Sequence, residues 1–298
     1  KYTDLRAAIT EAAPPAEAPS LEAAKAAVAQ ATGFGGIEAA RLTFVNGHLV
    51  RELSDLDSLP DGVRVVPLNE ALTQGDTALK QLAPVPQARE NPVYQLNTAF
   101  LADGAVIAVA PGAKPVRPVH LRFVGSGDAP FSTATRVLVQ LGEGAEFALL
   151  ESHEGPDGLT CQPNDALDVV VGPRAVFRHT RLNKEGDATI ALSTLSLKVE
   201  AEAQVETVNL VTGAVLSRHQ IYVHVAGDDT NVVVNGAAML RNGQLADSTL
   251  LADHAAVGGV GREQFKWIID GDATGVFQGK IIVRQIAQKT DGKMKSDC

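Results

Sequence analysis

Short apolar runs that alternate with polar residues fill the chain from about Val93 to its end, and this pattern restricts the fold more than any other feature. Alternation with a period of two is typical of strands that bury one face. Gly, Asp or Asn residues bound the runs, and too few helix-length segments separate them for a fold of alternating strands and helices. The predicted strands are 105–110, 120–124, 135–141, 166–171, 190–199, 205–211, 221–225 and 231–234.

A loose repeat underlies these strands. Ala145, Ala175, Ala203 and Thr230 each open a predicted strand after a polar turn, at spacings of 30, 28 and 27 residues. A period of this length, with several short strands and no helix, is typical of a parallel β-helix of stacked coils. A β-sandwich of hairpins stays open as the alternative. The aromatic content of only 4% favours stacked strand layers with small and β-branched residues over a large helical core.

The first 92 residues are predicted as a small mixed α/β region, and residues 93–298 as the mainly β core. Residues 11–20 contain three prolines and are predicted as a linker or exposed loop. The other predicted elements are a helix from an N-cap at Ser20 to about Ala31, a hairpin over 41–50 turning at Asn46-Gly47, a strand over 62–68, and a helix over 69–83 capped by Asn69.

Charge and composition exclude several functional classes. The formal net charge of −9 argues against a nucleic-acid partner, because binding phosphates requires clustered Lys and Arg. No apolar stretch reaches the ~18 residues of a membrane span. The only cysteines, Cys161 and Cys298, do not make a disulfide framework, so we expect a reducing, cytoplasmic location.

No catalytic constellation is visible in the sequence. The seven histidines lack metal-binding spacing, and the separation of five residues places His219 and His224 on opposite faces of a strand. We interpret the histidines as surface or hydrogen-bonded structural residues. Phosphate loops, nucleophile elbows and Cys-x-x-Cys pairs are all missing. The sequence therefore predicts no catalytic, cofactor-binding or metal-binding residue, and a chain that is not an enzyme and binds no cofactor alone.

The region from Asp253 to Asp291 resembles the C-terminal half of the SufB/SufD family of iron–sulfur cluster assembly proteins. The resemblance is strongest after residue 210. The short N-terminal region and the Leu-Asn-x-Ala-Phe segment that begins at Leu96 resemble SufD more than SufB. Lys1-Tyr2-Thr3 resembles the end of the family's Trp-Lys-Tyr-Thr motif. The strongest matching segments are 253–254, 262–266, 275–281 and 287–292.

The resemblance implies a right-handed parallel β-helix flanked by helical terminal regions. It also implies a non-catalytic scaffold that pairs with SufB and the SufC ATPase, in a complex that handles the iron–sulfur cluster. A SufB-like, cluster-bearing scaffold is one alternative, which should show more cysteines. A carbohydrate-active β-helix enzyme is another, which would need a groove of Asp, Arg and aromatic residues and a secretion signal.

The matching segments supply candidate family-motif or interface residues. We expect the glycines to serve tight coil corners and the polar residues to form ladders or contact partners. Beyond Asp291 we expect the family's C-terminal helical region to be missing, and in isolation we expect a homodimer with residues 275–290 at or near the contact. The candidates are His254, Gln264, Lys266, Gly275, Phe277, Gly279, Gln288, Lys289, Thr290 and Asp291.

Overall fold

Two facing sheets wind along the molecule as a parallel β-solenoid of about seven turns. This computed structural model describes residues 3–298, so Lys1 and Tyr2 of the predicted motif start lie outside it. The strands are β1 Ala40–Val45, β2 His48–Leu49, β3 Val63–Pro67, β4 Asp103–Val109, β5 Val119–Val124, β6 Phe131–Leu141, β7 Glu146–Glu154, β8 Cys161–Val171, β9 Val176–Lys184, β10 Ile190–Val199, β11 Gln204–Val211, β12 Leu216–Val225, β13 Asn231–Leu240, β14 Leu245–His254, β15 Val260–Ile269, β16 Thr274–Val283 and β17 Asp291–Asp297.

The strands from β4 onward alternate between the two sheets. One sheet has the order β17-β15-β13-β11-β9-β7-β5-β1-β2 and the other β16-β14-β12-β10-β8-β6-β4-β3. From β6 onward, each strand pairs in parallel with the strand two places earlier, as β9 does with β7. The predicted parallel β-helix is therefore confirmed, and the hairpin sandwich is wrong.

The residues whose spacing suggested the repeat lie at the same corner of successive coils. Ala145, Ala175, Ala203 and Thr230 are all buried, and each lies just before β7, β9, β11 or β13. A corner that points inward between two sheets has room only for a small side chain, which explains why Ala and Thr recur there.

The apolar core fills the space between the sheets. Every second residue of a strand points inward, and neighbouring coils place similar side chains on top of one another. Phe147 and Phe177 are in register on β7 and β9 and lie 6.5 Å apart, stacked. Burying each such side chain contributes about 1.5–3 kcal/mol, so the stacked layers hold the coils together.

Within residues 3–298, five short α-helices lie outside the sheets. The predicted cap at Ser20 is confirmed, since its hydroxyl accepts a hydrogen bond from the Ala23 amide at 3.2 Å. The predicted hairpin is also confirmed, and both Asn46 and Gly47 have positive φ, as its tight turn requires. The helices are α1 Leu5–Ala8, α2 Leu21–Gln30, α3 Leu68–Gln74, α4 Pro86–Arg89 and α5 Pro92–Ala99.

Two helix predictions require correction. The helix predicted over 69–83 is divided, because Gly75 adopts a left-handed conformation that ends α3, and a 3₁₀ segment follows at Thr77–Gln81. Asn69 does not cap α3, which begins at Leu68 after Pro67. Val93, where we expected the helical pattern to fade, lies inside α5; the Asn91 side chain caps this helix.

Strands from before residue 93 also belong to the sheets. β1 pairs in parallel with β5, and β3 pairs with β4 in antiparallel orientation. The sheets therefore draw on both of the predicted segments, 1–92 and 93–298. Every helix among residues 3–298 is too short or too polar to cross a membrane.

Candidate functional site

The solenoid presents an open edge at its C-terminal end. β16 and β17 are the last strands of the two sheets, so within residues 3–298 one side of each has no partner strand. Val283 and Ile286, near the end of β16, are 52% and 69% exposed. Unpaired strand edges with apolar side chains are ready to pair with another chain.

Aromatic side chains close the interior at this end. Phe277 of β16 stacks on Phe265 at 4.5 Å and lies 5.9 Å from Trp267. Gly275 and Gly279 lie within β16 rather than at coil corners, so the role predicted for them is wrong. A Cβ at Gly275 would lie 2.6 Å from Trp267, and one at Gly279 would collide with the Met294 sulfur. These glycines make room for large side chains.

The polar candidates of this region lie mainly on the surface. Gln264 and Lys266 are exposed on the outer face of β15. Gln288, Lys289 and Thr290 form the turn before β17, where the Gln288 carbonyl accepts a hydrogen bond from the Gly258 amide at 3.0 Å. These residues therefore lie on the surface of the last coils, on the outer face of β15 and in the turn before β17.

Asp291 connects the last two strands of its sheet. It opens β17 and accepts a hydrogen bond from the Arg262 guanidinium of β15 at 2.5 Å. That hydrogen bond holds the pKa of Asp291 below its usual range. Asp291 thus fixes the position of the turn before β17.

His254 is buried at the end of β14, away from the exposed edge. Burial lowers the pKa of its imidazole, and its Nδ1 has no hydrogen-bond partner among residues 3–298. Its neighbour Asp253 accepts two hydrogen bonds from Arg284, at 2.8 and 2.9 Å, and one from Gln87 of α4 at 3.2 Å. Asp253 therefore fastens an N-terminal helix to the C-terminal coils.

A second polar site lies inside the solenoid, where sequence reasoning did not place one. The Glu151 carboxylate of β7 is its centre: it is 2.5 Å from His153 Nε2, 3.2 Å from His179 Nε2 and 3.0 Å from Arg181 Nε. His153 Nδ1 lies 3.3 Å from Asp165 on the opposite sheet. All five side chains are buried, and we call them the interior polar cluster.

The charges of the interior polar cluster balance. Burial alone would raise the pKa of Glu151, but hydrogen bonds from His153 and His179 and the charge of Arg181 hold it well below its usual range. Burial and Arg181 oppose protonation of His153, yet hydrogen bonds to Asp165 and Glu151 raise its pKa. Two carboxylates thus face the Arg181 guanidinium and a histidine whose protonated form they favour, and pairing of this kind is how buried charges are tolerated.

His219 extends this polar region toward the next coil. Its Nδ1 lies 2.8 Å from the Ser193 hydroxyl, and burial together with Arg181 lowers its pKa well below the usual value, so the ring stays neutral. The interpretation of this histidine as a hydrogen-bonded structural residue fits its environment. A cavity of about 10 Å³ beside it has room for about one water molecule. No group of three or more His, Cys, Asp or Glu side chains within residues 3–298 is arranged to hold a metal ion.

Comparison with known families shows to which family the chain belongs. Residues 123–298 match the family model described as "SUF system FeS cluster assembly, SufBD core domain". Residues 33–121 match "SufBD protein N-terminal region". The chain belongs to the SufBD family.

Relatives of this SufBD chain come from bacteria and a plant. It is 27% identical over 267 residues to an iron–sulfur cluster assembly SufBD family protein of Synechocystis, covering 85% of this chain and 58% of that protein. It is 32% identical over 209 residues to protein ABCI7, chloroplastic, of Arabidopsis thaliana, covering 66% and 43%. It is 25% identical over 265 residues to the iron–sulfur cluster assembly protein SufD of Escherichia coli, covering 88% and 60%. The matches thus span roughly half of each relative's length.

The SufBD core model begins at Phe123, near the end of β5, and runs through β17. It contains both the open edge and the interior polar cluster. The resemblance recognised in segments 253–254, 262–266, 275–281 and 287–292 is therefore confirmed as family membership.

Proposed function

We propose that this chain is a non-catalytic scaffold subunit of the SUF iron–sulfur cluster assembly machinery, which pairs with SufB and the SufC ATPase. The match to the SufBD core over 123–298 carries this proposal. The similarity to the Escherichia coli protein named SufD supports placing it on the SufD side of the family.

The open edge supports pairing with another solenoid. β16 offers one side of ten residues, Thr274–Val283, without a partner strand among residues 3–298. A partner strand that adds there would satisfy the outward backbone groups and bury Val283 and Ile286. A second copy of this chain could use the same edge through a two-fold contact, so we expect a homodimer where SufB is absent.

The cluster belongs to the complex in this proposal, not to this chain alone. Thiolates are the preferred protein ligands of iron–sulfur clusters. Burial and the nearby Glu185 carboxylate raise the pKa of Cys161 to about 12, which disfavours its thiolate. Cys161 and Cys298 are both free thiols, which fits a reducing compartment such as the cytoplasm.

Anaerobic reconstitution tests this division of labour. The purified chain is incubated with ferrous iron and sulfide, alone and together with SufB and SufC, and is then desalted. Alone it should retain less than about one iron per chain, whereas the mixture should retain a cluster with its visible absorption. Replacing Cys161 with Ser should leave both results unchanged. A stable cluster on the isolated chain would contradict the proposal.

A further inference from the structure

A groove of about 480 Å³ opens on the side of the solenoid beside α2. The last turn of α2 and the residues that follow it form one wall, including Gln30 and Thr32. The corners of successive coils after β5, β7, β9 and β11 form the other wall. A volume of this size accommodates a small ligand or one long side chain.

Glu185 occupies a corner position that is glycine on the neighbouring coils. Gly125, Gly155 and Glu185 each follow directly after β5, β7 and β9, whose last residues are in register. Gly213 of the next coil packs against the Glu185 backbone. A Cβ built on Gly155 would lie 2.6 Å from Glu185 Oε2, so the missing side chain at Gly155 provides the space that the carboxylate fills.

The Glu185 carboxylate has no partner. Its residue is only 8% exposed, yet the carboxylate makes no hydrogen bond or ion pair with any side chain or backbone group of residues 3–298. It lines the groove and also a cavity of about 20 Å³ beneath it, beside Cys161 and Asp165. A buried carboxylate without donors is costly, so a donor from outside would be strongly favoured.

The other charges of the groove leave it negative. Lys184 Nζ donates a hydrogen bond to the Thr32 hydroxyl at 2.7 Å and lies 3.4 Å from the Glu154 carboxylate, which compensates its positive charge. Asp157, at the rim, adds a further negative charge. An incoming ligand that satisfies Glu185 should therefore be a cation with N–H donors.

We propose that this groove binds a ligand that carries a primary ammonium or guanidinium group, held by the carboxylate of Glu185. The amine comes either from a free small molecule or from a Lys or Arg side chain of a protein. This site is independent of the open edge and of the proposed scaffold role.

The affinity should depend on pH with a defined sign. Burial raises the pKa of Glu185 to about 7. The charged groups around it are Asp165 and Glu154, which favour its protonated form, and His153, Arg181 and Lys184, which favour the ionised form. Only the ionised carboxylate pairs with a cation, so affinity should rise about tenfold between pH 6 and pH 8.

Calorimetric titration of the full chain with agmatine, which carries both an ammonium and a guanidinium group, tests the proposal. In NMR spectra of the same protein, binding should shift the backbone amide resonances of Gly125, Gly155 and Gly213. Glu185→Gln keeps the shape of the side chain and should weaken binding at least about tenfold. Glu206→Gln on the exposed face of β11 removes the same charge and should leave affinity within about twofold.

Putrescine and N-acetyl-arginine methylamide distinguish the source of the amine. Binding of the blocked arginine shows that a protein side chain is sufficient, whereas binding of agmatine or putrescine alone identifies a free amine. Failure of all three probes to bind, equal affinity in the Glu185→Gln variant, or binding without shifts at the three glycines would overturn the proposal. Urea unfolding of the variant checks that it is folded, and we expect it to be at least as stable as the parent chain.

Discussion

Glu151 accepts hydrogen bonds from three buried side chains, His153, His179 and Arg181, and its carboxylate favours the protonated form of His153. Glu151→Gln would leave Asp165 as the one carboxylate of the cluster, and Arg181 would lose the carboxylate that it bonds. Removing one partner of a buried charge network costs about 3–5 kcal/mol, so urea unfolding should show a loss of that order. Glu146→Gln, on the same strand but in an exposed pair with Lys114, should change stability little. Equal effects of the two variants would show that the interior polar cluster is not balanced as described.

Glu263 should make stability depend on pH. It is buried on the inner face of β15, one carboxylate oxygen has no partner among residues 3–298, and burial raises its pKa to about 7. A folded-state pKa above the unfolded value means that this group's contribution is present at low pH and lost as pH rises toward 7. Glu263→Gln should therefore be more stable than the parent chain by about 1–3 kcal/mol at pH 8, and equal to it at pH 4.

Thermal unfolding followed by circular dichroism at both pH values measures this difference. The exposed Asp270→Asn change beyond the end of β15 serves as the matched control and should show no difference at either pH. A Glu263→Gln variant that is less stable at pH 8 than the parent chain would contradict the burial of an ionising carboxylate.

The interior polar cluster could have been found from the sequence only after the coil register was known. Phe147, Leu149, Glu151 and His153 share one phase of the alternation, which places all four on the same face of β7. The repeat of about 30 residues then places Arg181 beside Glu151, as the structure shows. Asp165 could not be found in this way, because its proximity to His153 depends on how the two sheets face each other.

The edge strand β16 allows a substitution that separates edge pairing from strand folding. The Arg284 amide bonds the His254 carbonyl of β14, and amides alternate in direction along a strand. The Val283 amide therefore points to the open side, and the Ile282 amide points to β14. Val283→Pro should leave the solenoid intact but remove a donor from the open edge, whereas Ile282→Pro should break an internal hydrogen bond.

Light scattering of the isolated chain measures the consequence. The parent chain should be a dimer at high micromolar concentration, and Val283→Pro or Val283→Lys should shift it toward monomer with little change in unfolding midpoint. Ile282→Pro should lower the midpoint. A parent chain that is strictly monomeric, or a Val283→Pro dimer as tight as the parent, would count against the use of this edge.

At the level of elements, strands were easier to predict than helices. The predicted strand 190–199 coincides with β10, because alternation and bounding turns both mark it. The split at Gly75 and the helix α5 were missed because short helices depend on tertiary contacts. Asn97 of α5, for example, donates hydrogen bonds to the Thr135 and Asn164 carbonyls of the sheet beneath it.

At the scale of the whole molecule, the repeat at Ala145, Ala175, Ala203 and Thr230 favoured the parallel β-helix, because each coil repeats one set of corners, but it left the β-sandwich open until the family resemblance was added. Function was not contained in the repeat. The proposed function rests on the family resemblance of segments such as 275–281 and 287–292, which lie on the C-terminal coils. Within residues 3–298, the open edge at β16 and β17 is suited to pair with another chain.

Sedimentation velocity of this chain mixed with SufB and SufC tests the scaffold role most directly. We predict one faster species that contains all three polypeptides, which forms with the parent chain and is weakened by Val283→Pro. If this chain sediments at the rate it shows alone, with SufB and SufC migrating separately from it, the scaffold assignment is contradicted.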